Sequence, residues 1–161
     1  MLRLTEKIYR ALRSHGEETY PHECCGVLLG RSDNGVNTVA EAVRAGNTRT
    51  DSAHNRYNIS PQELIRIQRQ GRENGWDIVG FYHSHPDHPA QWSTTDLAEA
   101  HWTGCSYVIT AVEKGSAQQT NSFRLMGSSE EDKALVSEPV ELDDNASSAP
   151  KVDEKVRSIS A

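Results

Sequence analysis

Apolar residues at Leu4, Ile8, Ala11 and Leu12 recur at helical spacing, and Thr5 can cap the start, which predicts a first helix over about residues 5–18. Pro21 ends it. Cys25-Gly26-Val27-Leu28-Leu29-Gly30 is then a continuous apolar run between glycines and reads as a buried strand. Asp33-Asn34-Gly35 is turn chemistry, so Val36 to Val43 is the antiparallel return strand. Residues 45–55 are polar and aperiodic, a loop, and Arg56-Tyr57-Asn58-Ile59 follows as a short strand. Ser60-Pro61-Gln62-Glu63 combines an N-cap serine, a proline at the first helical position and a capping-box glutamate. The helix it starts turns Leu64, Ile65 and Ile67 inward and runs to about Glu73, where Asn74-Gly75 closes it. Trp76 to His85 is a strand with Ile78, Gly80 and Tyr82 on one face and Val79, Phe81, His83 and His85 on the other. A loop rich in proline and polar residues leads to a short helix from Ser93 to about Trp102. A central strand over Ser106 to Val112 and its hairpin partner over Gln118 to Leu125 complete the pattern.

Helices interspersed among strands in this order imply an α/β chain of the α+β type, a mixed sheet with helices packed on it. At 161 residues there is enough chain for one domain with a core and too little for two ordinary ones. The charge is uneven. Of the net −6, residues 127–161 carry −5, from nine acidic and four basic residues, which leaves −1 for residues 1–126. No basic excess marks a nucleic-acid-binding surface, so DNA and RNA are not expected partners. From Gly127 onward the composition is Ser, Glu, Asp, Ala and Pro without an aromatic residue, too little apolar surface to offset the entropy of ordering. The expected organisation is a domain over residues 1–126 and a disordered acidic tail over 127–161, in which Leu135-Val136 or Val140-Leu142 offer the only docking points. The three cysteines, Cys24, Cys25 and Cys105, make a poor disulfide framework and fit a reducing cytoplasm. The charged start Met1-Leu2-Arg3-Leu4-Thr5-Glu6-Lys7 does not read as a signal peptide, and no segment reaches membrane-spanning length.

The chemistry concentrates in Phe81-Tyr82-His83-Ser84-His85-Pro86. Two imidazoles separated by one residue in an extended segment point to the same face and can grip one ion; the bland reading is two polar residues at a strand end. A carboxylate from Asp96 would supply a third ligand, and three protein ligands with a fourth position open is the arrangement of a catalytic zinc. Ser93-Thr94-Thr95-Asp96 is equally a capping pattern, and the two readings are compatible because Ser93 and Asp96 lie one helical turn apart. Glu23 stands near a strand end as a carboxylate available for general-base work. His22-Glu23 does not extend to a His-Glu-x-x-His zinc helix, since position 26 is Gly26. No Pro-Cys-x-x-Cys follows the histidines, which excludes a cytidine-deaminase type of site. Cys24 and Cys25 face opposite ways in a strand and do not share an ion, so they and Cys105 read as small buried residues. Asp87 and His88 read as solvated loop residues, and His22, His54 and His101 carry no signal.

Glu23, His83-Ser84-His85-Pro86, Ser93 and Asp96 together make this sequence resemble the JAMM (MPN+) metallopeptidases, whose pattern Glu…His-x-His-Pro-x6-Ser-x2-Asp it carries without a departure. Pro21 to Gly30 is similar to the family's first strand and Ile78 to Tyr82 to the strand entering the motif, so the resemblance spans roughly residues 1–126. It implies a mostly antiparallel, curved mixed sheet flanked by helices, a cytidine-deaminase-like architecture. It also implies that His83, His85 and Asp96 ligate Zn2+, that Glu23 takes a proton from an activated water, and that Ser93 donates to the oxyanion. The substrate so implied is an amide bond after the C-terminal Gly-Gly of a ubiquitin-like or sulfur-carrier protein of the ThiS or MoaD type. A non-catalytic scaffold of the same fold, or a zinc hydrolase of small amides or free peptides, are the alternatives. Oligomeric state has no sequence signal.

Overall fold

The computed structural model describes residues 1–46 and 59–145. In chain order the elements are β1 (Leu2–Leu4), α1 (Glu6–Thr19), β2 (Cys25–Asp33), β3 (Val36–Ala45), α2 (Pro61–Glu73), β4 (Asp77–Pro86), α3 (Thr94–Ala98), β5 (Ser106–Glu113), β6 (Ser116–Met126), β7 (Ala134–Glu138) and β8 (Val140–Leu142). The helix starts follow the capping chemistry. Thr5 Oγ1 accepts from the Ile8 N–H at 3.1 Å and Ser60 Oγ from the Glu63 N–H at 3.1 Å. The Glu63 carboxylate, expected to complete a capping box, instead receives the Gly46 N–H and ties the end of β3 to α2. The expected strand at 56–59 lies outside the described residues except for Ile59, as do His54 and most of the expected loop at 45–55.

The strands form one eight-stranded mixed sheet, ordered β7-β6-β5-β4-β2-β3-β1-β8. The pairs β2/β3, β2/β4, β5/β6 and β6/β7 are antiparallel, and β4/β5, β1/β3 and β1/β8 are parallel. The two ends of this order, β7 and β8, are consecutive in the chain with only Pro139 between them. The sheet therefore has to curl until its ends approach. Residues 134–142 thus do not form the disordered tail expected from residue 127. Leu135 is buried, and the Glu138 carboxylate receives Ser122 Oγ at 2.7 Å and Arg124 at 2.9 Å. Their low apolar content is offset by backbone pairing to strands already in place and by these charge-assisted bonds. Leu4, expected one turn ahead of the helix, belongs to β1, where it is buried in the sheet.

Each face carries a core. On one, α2 lays Ile67 against Val27, Leu29, Phe81, Tyr107 and Ile109; on the other, α1 lays Ile8 and Leu12 against Leu28, Tyr82 and Val108. Ile65, expected to face inward, is 54% exposed, because the helix turns only Ile67 and its neighbours one turn away toward the sheet. The alternation expected along β4 holds from Gly80 onward and breaks before it. Register against β2 shifts from Leu28↔Gly80 to Leu29↔Ile78, which leaves Val79 as an extra residue. This bulge puts Ile78 with Phe81 and Val79 with Tyr82, the reverse of strict alternation. The expected helix at 93–102 closes after Ala98, and Gly104 at φ +89 turns the chain into β5.

Candidate metal centre

The C-terminal half of β4 lies between β2 and β5, with His83 opposite Cys25 on one side and Ile109 on the other. Its alternation sends His83 and His85 to the α2 face and Tyr82 and Ser84 to the α1 face. Gly26 makes room for this: a side chain there would run into the Tyr82 ring. The two imidazoles approach with Nε2 atoms 3.2 Å apart. Asp96 reaches them from the first turn of α3, Oδ1 lying 3.2 Å from His83 Nε2 and Oδ2 3.1 Å from His85 Nε2. Among the described residues, these three form the group whose ligand-type atoms all lie within 4.8 Å of one another.

The cluster calls for a cation. His85 Nδ1 lies 2.8 Å from the Pro89 carbonyl, an acceptor, so it is Nδ1 that carries the proton. In the neutral ring Nε2 then offers a lone pair, and it faces an Asp96 oxygen that is also an acceptor. Two acceptors at hydrogen-bond distance need a proton or a metal ion between them. Ligand bonds of about 2.0–2.1 Å at tetrahedral angles place donor atoms about 3.3 Å apart, close to the spacings of this cluster. The outward hydrogen bond from Nδ1 to a carbonyl is also how metal-binding imidazoles are held. His83, His85 and Asp96 therefore fit a metal ion.

Electrostatics agree. Burial opposes charge on His85, yet the hydrogen bonds to Asp96 and the Pro89 carbonyl, with the charges of Asp96 and Glu23, hold its pKa above the usual value. Burial likewise favours the neutral acid at Asp96, but hydrogen bonds from both imidazoles and from the Ser93 N–H hold it far below the carboxylate range. His83 is 3% exposed, and burial, only partly offset by Asp96, lowers its pKa.

Glu23 precedes β2. The Cys24 carbonyl accepts from the Ser84 N–H at 3.3 Å, and the Cys24 N–H donates to Ser84 Oγ at 2.9 Å. Continuing the Cys25↔His83 register by two residues sets half-buried Glu23 beside His85. The Glu23 charge is felt at His85, whose pKa it helps to raise. Ser93 is exposed at the cap of α3. Its Oγ accepts from the Asp96 N–H at 3.0 Å and its N–H donates to Asp96 Oδ2 at 2.9 Å. Capping and cluster membership thus coexist in Asp96, and the Ser93 hydroxyl keeps its own proton to donate.

Cys24, Cys25 and Cys105 are buried and free of disulfides. Burial pushes the Cys24 thiol up to about 11 and the Cys105 thiol up to about 12, so neither provides a thiolate near neutrality. Asp87 is not simply solvated as expected: Tyr20 Oη donates to it at 2.6 Å and the Lys114 N–H at 2.8 Å. This contact, the Pro89 carbonyl and the Ser84 hydroxyl escape sequence reasoning. Each is a partner brought in by the fold, with no spacing signature.

The profile of the family described as prokaryotic homologs of the JAB domain matches residues 5–126. The chain belongs to this family. Among relatives of this JAB-domain protein, a desampylase of Haloferax volcanii is 39% identical over 89 residues, 55% of this chain and 62% of the relative. Tail tip assembly protein K of Escherichia phage N15 is 26% identical over 112 residues, 70% of this chain and 42% of that protein. The chain thus spans less than two thirds of either curated relative. Solved structures align over more of it. A protein from Desulfitobacterium hafniense matches with TM-score 0.78 at 27% identity, covering 92% of this chain and 97% of its own. One from Salinibacter ruber matches with TM-score 0.67 at 37% identity, covering 88% and 92%. A JAB1/MPN domain protein from Archaeoglobus fulgidus, at 14% identity and TM-score 0.54 over 87% and 97%, shares the fold. Among the described residues, no helix is long and apolar enough to cross a membrane.

Proposed function

We propose that this JAB-domain protein is a zinc-dependent isopeptidase or peptidase, and that it hydrolyses the amide bond after the C-terminal Gly-Gly of a ubiquitin-like or sulfur-carrier protein. The observation that carries this reading is the convergence of His85 Nε2, His83 Nε2 and Asp96 with Glu23 alongside. Two imidazoles and one carboxylate are the donor set of a hydrolytic zinc, which when bound polarises a carbonyl and draws the pKa of a water toward neutrality. Glu23 accepts the proton of the attacking water and passes it to the leaving amine. The Ser93 hydroxyl donates to the carbonyl oxygen as negative charge grows there. His85 keeps its orientation through the Pro89 carbonyl, and Asp96 through the Ser93 N–H. The substrate class draws its support from the desampylase among the relatives, and glycine at the scissile end suits a site where substrate backbone must pass close to buried ligands.

The experiment is metal analysis with cleavage of a carrier protein bearing a Gly-Gly tail fused to a short peptide. One zinc per chain and release of the peptide are expected. Full zinc occupancy without cleavage of any such fusion overturns the substrate class. In Glu23→Gln, zinc is retained and turnover falls by at least about 100-fold, as for loss of a general base; unchanged turnover removes Glu23 from that role.

A further inference from the structure

Glu23 sits between the end of α1 and the start of β2, a connection with no regular secondary structure, yet general-base work needs its carboxylate held still. Downstream, the Cys24–Ser84 hydrogen bonds hold the connection. Upstream, Thr19 and His22 bond each other locally, the His22 N–H donating to the Thr19 carbonyl at 2.8 Å and Thr19 Oγ1 to the His22 carbonyl at 3.0 Å, and Tyr20 makes a long-range contact. Its hydroxyl donates to Asp87 Oδ2 at 2.6 Å, across 67 residues of sequence. Asp87 is the second residue after His85 and has a positive φ of +58, in the left-handed region that aspartate tolerates better than most residues.

The same carboxylate reaches a third segment. Asp87 Oδ1 accepts from the Lys114 N–H at 2.8 Å, and the Asp87 N–H donates to the Val112 carbonyl at 2.7 Å, so Asp87 is anchored to the β5–β6 turn. The end of α1 is tied to that hairpin independently, because the Ala117 N–H donates to Glu17 at 2.7 Å. Asp87 thus joins the segment before Glu23, the loop that follows the histidines and the β5–β6 hairpin. A solvated loop aspartate would not be expected to satisfy two donors from separate segments in this way.

We infer that Tyr20 and Asp87 form a latch that positions Glu23 against the His83–His85–Asp96 cluster, the pair being positioning residues for the hydrolysis. The inference rests on the proposed role of Glu23, but the latch itself is a property of the fold. Tyr20→Phe deletes only the latching hydroxyl, and because half-buried Tyr20 belongs to neither core cluster the variant keeps its core.

The test is amide hydrogen exchange with kinetics on the zinc-loaded full chain. In Tyr20→Phe, the amides of residues 22–24 exchange about tenfold faster while those of β4 and β5 are unchanged. Unaltered exchange at 22–24 overturns the latch, and a uniform rise across the whole sheet overturns it in favour of general destabilisation. On a Gly-Gly-tailed fusion, kcat falls about tenfold in Tyr20→Phe with zinc stoichiometry and KM unchanged. In a Glu23→Gln background the same substitution has no further effect. An equal loss in both backgrounds, or a change confined to KM, overturns action through Glu23. Asp87→Ala reproduces the exchange result in residues 22–24. If the wild-type chain cleaves no such fusion, the functional reading fails, while the exchange measurement still decides the latch.

Discussion

Two buried histidine environments lie on opposite faces of the same sheet and behave in opposite ways. On the α1 face, His15 is buried and its Nδ1 shares a hydrogen bond with Tyr82 Oη at 2.8 Å. Its pKa is lowered to about 4, first by burial and then by the Arg44 charge, against a smaller opposing effect of Glu18. On the α2 face, His85 is comparably buried, yet its pKa is raised, because the hydrogen bonds to Asp96 and the Pro89 carbonyl, together with the charges of Asp96 and Glu23, outweigh burial. The difference is the partner. A neutral phenol leaves buried His15 neutral and structural, whereas the carboxylate of Asp96 holds the His85 pKa above its ordinary value; at the more deeply buried His83 the same carboxylate offsets burial only in part. Burial alone does not mark a functional histidine.

The largest expected effect comes from removing that carboxylate. Asp96→Asn takes away a ligand and the charge that sustains the cluster, so zinc affinity falls by at least about 100-fold in a competitive chelator titration. The His85 pKa, followed by NMR, drops below its ordinary value and so comes to resemble that of His15. A His85 pKa that stays raised in the variant would break the comparison.

Acid sharpens it further. Folded His15 titrates near 4 and an unfolded histidine near 6.5, so between these values the unfolded chain binds the extra proton. The contribution of His15 to stability is complete above about pH 6.5 and is lost as pH falls toward 4, with a slope of up to about 1.4 kcal/mol per unit. Urea unfolding at pH 7 and pH 5 should show a smaller decline in His15→Gln than in the wild type. Identical declines would show that His15 does not titrate as its surroundings dictate. Zinc release over the same range, from protonation of His83 and His85, should be unaffected by that substitution.

Smaller effects separate the two faces. Tyr82→Phe leaves His15 Nδ1 without its partner and costs about 1–3 kcal/mol in denaturant midpoint while zinc binding is unchanged. Ser84→Ala, between the two histidines but on the α1 face, strands the buried Cys24 N–H and costs about 1–2 kcal/mol. Weakened zinc binding in Tyr82→Phe would show that the two faces are coupled through the backbone of β4.

Much of this was legible in the chain. His83 and His85 share a face because alternation is a local property of extended backbone, and Ser93 and Asp96 share a helix start because capping needs only four consecutive residues. The starts at Thr5 and Ser60 follow from the same local chemistry. The misreadings came where a distant partner decides. β1 has three residues and no periodicity of its own, and it exists because β3 and β8 flank it. β7 and β8 look too polar to order, but they pair with strands already in place at both ends of the sheet. The Val79 bulge shows only in the register with β2.

By itself, then, the sequence determined the residue types of the site, their spacing along β4 and α3, and the helix starts, since all of these depend on interactions within a few residues. Only the tertiary structure decided that Glu23 lies beside His85, that Nδ1 of His85 spends its proton on Pro89, and that Asp87 holds Tyr20. Those outcomes depend on which groups meet across the sheet, and hydrogen bonds between segments sixty residues apart leave no periodic trace in the chain that makes them.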